Sequence, residues 1–114
     1  GREHTAVISW IANHTPKHAV FVSYQDMIDP VAFAGRKNYF GFFGNIGTTD
    51  RSADVRRIYA GDRDTMEQLS IAYILVPRWE KNDFPYAVDE EKLSAYTAVV
   101  YEDEQYRIYS PVVK

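Results

Sequence analysis

The period of the apolar positions changes several times along the chain. Val7, Trp10, Ile11 and His14 fall three and four residues apart, the spacing of one helix face, and predict a helix over residues 2–13 with Trp10 in the core. Pro16 disfavours helical geometry at Thr15 and ends that helix. The run HAVFVSY then turns continuous, β-branched and aromatic. It predicts a buried strand over residues 19–24. A second continuous run, IAYILV at 71–76, predicts another strand, stopped by Pro77. Strands buried on both faces read as unbroken apolar runs, so these two are expected side by side at the centre of a sheet.

Between them the pattern is harder to read. QDMIDP is turn-like. VAFAGRKNYFGFFGNIG, residues 31–47, fits neither helix nor plain strand. It predicts short extended pieces over VAFAG and NYFGFF around a turn at Gly35, where glycine frees the backbone. Such a segment suits a loop that passes close to backbone or ligand. TTDRSADVRRIYAGD predicts a short helix capped by Ser52 or Asp50, carrying Val55, Ile58 and Tyr59, and ended by Gly61. Asp64 followed by Glu67 approximates a capping box for a second. Asp89 is the expected cap of a helix over EEKLSAY. The end of the chain predicts a hairpin, 97–102 against 105–110 around Asp103-Glu104. Tyr106 and Ile108 would face one side and Arg107 and Tyr109 the other. The resulting fold class is α/β: a single mixed sheet with flanking helices, ending in a β-hairpin, in one domain spanning 1–114.

Composition sharpens this picture. A chain of 114 residues with 46% hydrophobic and 25% charged residues can build one core and is not disordered. The net charge of −3 argues against nucleic acid as a partner. Cysteine is absent, so there is neither a disulfide framework nor thiolate chemistry. No run reaches the length of a membrane helix, and no signal peptide opens the chain. Gly1 has the look of a cloning scar before a helix that starts without a clear cap, which suggests a fragment of something longer.

Candidate chemistry is sparse. His14 and His18 are four apart, as zinc ligands on a helix are, but Pro16 between them breaks the shared face; His4 stands alone. Carboxylates cluster at Asp26 and Asp29, at Asp62 and Asp64, and at 102–104. The last two clusters fall where caps and turns want acids. Asp26 and Asp29 follow the first strand, where open α/β sheets place ligands. No nucleophile elbow, P-loop or dinucleotide fingerprint is present. Asn13-His14-Thr15 is a glycosylation acceptor pattern with Pro16 directly after it. Arg36, Lys37, Arg51, Arg56, Arg57 and Arg78 spread through the middle of the chain. Arginine beside aromatic rings can stack or grip phosphate and carboxylate, although a solvated face has the same composition.

In order along the chain stand WIANHTPKHAVFVS, AGRKNYFG, DVRRIY, LSIAYILVPRWE and AVVYEDEQYRIYSP. The ordered set covers nearly the whole chain. It resembles the C-terminal soluble tail of polytopic membrane glycosyltransferases of the GT-C type and of related multi-spanning proteins. The resemblance implies a non-catalytic extracytoplasmic domain, membrane-tethered, partnered with the membrane-spanning part of the same polypeptide and with a lipid-linked sugar or glycan. No cofactor and no metal is expected. Catalytic acids would lie in the membrane part, so none is assigned here. Gly35-Arg36 and the strand 73–76 are what carry over. The substrate-binding candidates are Arg36, Lys37, Tyr39, Asn45, Asp26 and Arg78. The competing expectation is a stand-alone extracytoplasmic module for a glycan or protein; a small soluble enzyme is disfavoured by the lack of a nucleophile–base set.

Overall fold

Period-two burial organises the sheet. In the computed structural model, which describes residues 5–23, 30–39, 51–78, 84 and 86–112, the elements run α1 (Thr5–His14), β1 (Val20–Val22), α2 (Pro30–Phe33), β2 (Lys37–Asn38), α3 (Arg51–Tyr59), α4 (Arg63–Gln68), β3 (Tyr73–Pro77), α5 (Glu90–Ser94), β4 (Thr97–Glu102) and β5 (Tyr106–Pro111). The strands form one mixed sheet in the order β2-β1-β3-β5-β4. β1 pairs in parallel with β2 and β3, and β5 pairs antiparallel with β3 and β4. The expected adjacency of the two apolar strands is observed, with Phe21 opposite Tyr73 and Val22 opposite Ile74.

Alternate residues of these strands enter opposite cores. Phe21, Leu75, Tyr106 and Ile108 pack with Val7 and Ile11 of α1 and Val31 of α2. Val22, Ile74, Val76 and Tyr109 pack with Val55, Ile58 and Tyr59 of α3, Met66 of α4 and Leu93 of α5. The architecture is therefore helix, sheet, helix. Phe21 and Ile74 are fully buried on opposite faces, each burial favourable by about 1.5–3 kcal/mol. The hairpin also faces as expected: Tyr106 and Ile108 turn to one core, Tyr109 to the other.

Two local readings differ from the pattern. VAF is helical, not extended. Pro30 starts α2, where its fixed φ is preorganised and its missing N–H costs nothing. Gly35, at φ 77, closes it in a Schellman turn: Arg36 N–H donates to Val31 O and Gly35 N–H to Ala32 O, both at 3.0 Å. A second such turn ends α3 at Gly61, φ 92, as expected. It places Asp62 in extended geometry, and Asp62 rather than Asp64 becomes the N-cap of α4, accepting from Thr65 N–H at 3.2 Å. That bond holds the Asp62 carboxyl below the usual range. Ser52 lies inside α3 and is not its cap; Asp50 is outside the described residues. Asp89 caps α5 as expected, accepting from Lys92 N–H at 3.0 Å. β3 begins at Tyr73 and takes in Pro77 as its last residue, opposite Tyr106.

Candidate functional site

The C-terminal end of α1 leaves carbonyls without helical partners, and a single arginine from β2's approach satisfies them. Arg36 Nη2 donates to Ala12 O and to Thr15 O, both at 3.0 Å, and Nη1 to Ala34 O at 3.3 Å. Its Nε donates to Thr15 Oγ1 at 2.9 Å, and that hydroxyl in turn donates to Ile11 O at 2.7 Å. A cation at a helix C-terminus is favoured by the helix dipole as well. Arg36 thus staples α1 to the turn after α2. The hydroxyl of the glycosylation pattern, Thr15, is buried within this staple.

Parallel pairing then brings two basic segments together. Val20 is level with Lys37, so Lys17 and His18, just before β1, arrive beside Gly35, Arg36 and Lys37, at the start of β2. These five line a groove of about 430 Å³. A Cβ built on Gly35 would meet nothing within 4 Å. Its backbone conformation, not crowding, calls for glycine there, and the space before it is open. Lys17 and Lys37 are exposed, and neither their side chains nor that of His18 make a hydrogen bond or ion pair with a described residue. The groove lies at the N-terminal ends of β1 and β2.

Other polar residues hold the fold. Tyr39 donates to Asp54 Oδ2 at 2.7 Å, and Arg51 Nη1 donates to Tyr39 O at 2.8 Å with its guanidinium 5.1 Å from the ring centre. Burial, then the Asp54 bond, push the Tyr39 phenol up to about 12, so it is a donor and not a base. Arg57 pairs with the same Asp54 at 3.1 Å. At the hairpin, Arg107 bridges Glu102 at 2.7 Å and Glu90 at 2.8 Å. Tyr109 donates to that same Glu90 oxygen at 2.7 Å. Asp103 accepts from Gln105 and Tyr106 N–H at 2.7 and 2.8 Å and so shapes the turn. Trp10 is only half-buried, not a full core residue. It stacks on His14 at 5.4 Å and meets Tyr101 at 5.2 Å and Tyr73 at 6.4 Å.

Of the six binding candidates, Arg36 and Lys37 meet in the groove. Tyr39 turns toward α3. Arg78 is across the sheet, bonded to Asp103 O and 3.6 Å from Glu102. Asp26 and Asn45 lie outside the described residues. Lys17 joins the groove without having been singled out in the sequence. Its signal was available: a basic pair stands at or just before the start of each of two strands, and only parallel pairing makes the pairs neighbours. Among the described residues no group of three histidine, aspartate or glutamate side chains gathers in a metal-binding arrangement, and no helix is long and apolar enough to cross a membrane. The chain matches no family model and no curated protein.

Proposed function

We propose that the chain is a non-catalytic extracytoplasmic accessory domain of a membrane glycosyltransferase that uses a lipid-linked sugar donor, held to the membrane by spans in the same polypeptide. The observation that carries the reading is the turn at Ala34-Gly35-Arg36, the element the sequence resemblance singles out. It is built as a Schellman turn locked to α1 by Arg36, and it forms one wall of the cationic groove. Three described carboxylates are committed to the fold rather than to chemistry. Asp62 and Asp89 cap helices and Asp103 shapes a turn. Deleting this domain from the full-length protein should abolish or misdirect sugar transfer while leaving the membrane portion inserted. A parent gene without membrane spans would sink the reading and leave a stand-alone binding module.

A further inference from the structure

We infer that Lys17, His18 and Lys37 form a binding site for a phosphoryl group, with Arg36 as its positioning residue and not its principal ligand. This deepens the accessory-domain reading and rests on it only for the source of the phosphate. Three observations carry the site. First, the cations are concentrated against the overall charge of −3. Four arginines elsewhere differ: Arg57, Arg63, Arg78 and Arg107 each face a carboxylate within 4 Å, whereas Lys17, His18 and Lys37 face none that is described. Second, the cations line a concave space of about 430 Å³, within the range of small-ligand sites. Third, that space is bordered by Gly35, whose missing side chain leaves room for a group to approach the lysines.

Arg36 has a different part. Its four hydrogen bonds to Thr15, Ala12 and Ala34 leave one Nη1 N–H uncommitted. What they fix is the separation of the two basic segments, because Lys17 follows the carbonyls that Arg36 holds and Lys37 follows Arg36 itself. Lysine ammonium groups bind phosphate as point charges and tolerate some freedom of approach. A phosphate monoester or diphosphate fits this chemistry, whether free or carried by a lipid. Phe33, 63% exposed, ends α2 two residues before Gly35 and offers an apolar foothold if the phosphate is presented at a lipid surface.

The test titrates the 114-residue chain with sodium pyrophosphate and follows backbone amide resonances. Saturable shifts should concentrate at Lys17, His18, Gly35 and Lys37. The double variant Lys17→Ala/Lys37→Ala should keep its melting temperature and bind pyrophosphate at least about tenfold more weakly, the value of one charge-assisted hydrogen bond. Vesicles of phosphatidylcholine with phosphatidic acid distinguish the sources. Co-sedimentation competed by pyrophosphate supports the site with a lipid headgroup as source; absence of co-sedimentation with pyrophosphate binding intact supports it with a soluble phosphate. Unsaturable shifts, or a double variant that binds as the parent does, overturn the site. A parent gene rich in membrane spans beside a groove indifferent to pyrophosphate would overturn the site alone. The converse result would overturn the accessory reading alone.

Discussion

Arg107 in the hairpin lies between Glu90 and Glu102, with Tyr109 on the same Glu90 oxygen. At the other edge of the sheet, Lys17 and Lys37 stand beside a groove with no described acid facing them. Both edges are strand pairs with basic side chains close by, yet one neutralises its charge locally and the other does not. Neutralised charge stiffens: both carboxylate bonds hold the Arg107 guanidinium protonated beyond its ordinary range, and the hairpin is held against α5. Charge without a partner contributes little to the fold. Arg36 stands between these cases. It is a cation satisfied by carbonyls, so it builds the groove's wall without cancelling its positive field.

The largest effect should come from the residue that joins the two regions. Trp10 on α1 touches Tyr73 on β3 and Tyr101 on β4. Trp10→Ala should cost about 3 kcal/mol, the low end for a truncated tryptophan because the ring is half-buried. Urea unfolding measures this; an unchanged midpoint would mean that α1 gains nothing from docking on the hairpin.

Arg36→Ala comes next. It strips charged donors from Ala12 O and Thr15 O and leaves the buried Thr15 hydroxyl without its donor, for an expected loss of about 2–3 kcal/mol. Arg36→Lys should recover only part, because an ammonium cannot reproduce the planar fork. If Arg36→Ala melts with the parent, the staple is not structural and the contrast drawn with Lys17 and Lys37 collapses.

Arg107→Ala should cost less, about 1 kcal/mol, because its side chain is a quarter exposed and solvent screens the pair. High salt should shrink that difference, and a salt-independent loss would point to packing instead.

The smallest effect is the hairpin's share of a dependence on pH. Burial first, then donation to Asp103, raise the Tyr101 phenol above its ordinary value near 10. A raised phenol contributes stability that is complete below about pH 10 and is lost as pH climbs toward the folded value. Stability should therefore fall as pH rises above about 10, and Tyr101→Phe should flatten that fall. Equal slopes in parent and variant would remove Tyr101 from the explanation.

Most of the sheet was legible in the sequence because its signals are local. The unbroken runs around Phe21 and Ile74 required burial on both faces, and Gly61 and Asp89 marked helix ends by their own backbone and side-chain chemistry. VAF misled because α2 is a single turn, too short for a period to show, and was made by Pro30 and the Gly35 turn. Asp64 misled because the cap is decided by which aspartate leaves the preceding Schellman turn extended, and that was Asp62.

By itself, then, the sequence determined the mixed sheet, its two central strands and the terminal hairpin, since burial and turn chemistry act over a few residues. It also marked Arg36 as a residue with a special place, but not which groups would hold it. Only the tertiary structure decided that Arg36 would be bound by the end of α1, some twenty residues earlier in the chain. It alone also set Lys17 beside Lys37. Nothing in either basic pair specifies the other; the parallel register of Val20 with Lys37 does, and the bonds from Arg36 to the end of α1 hold the two segments there.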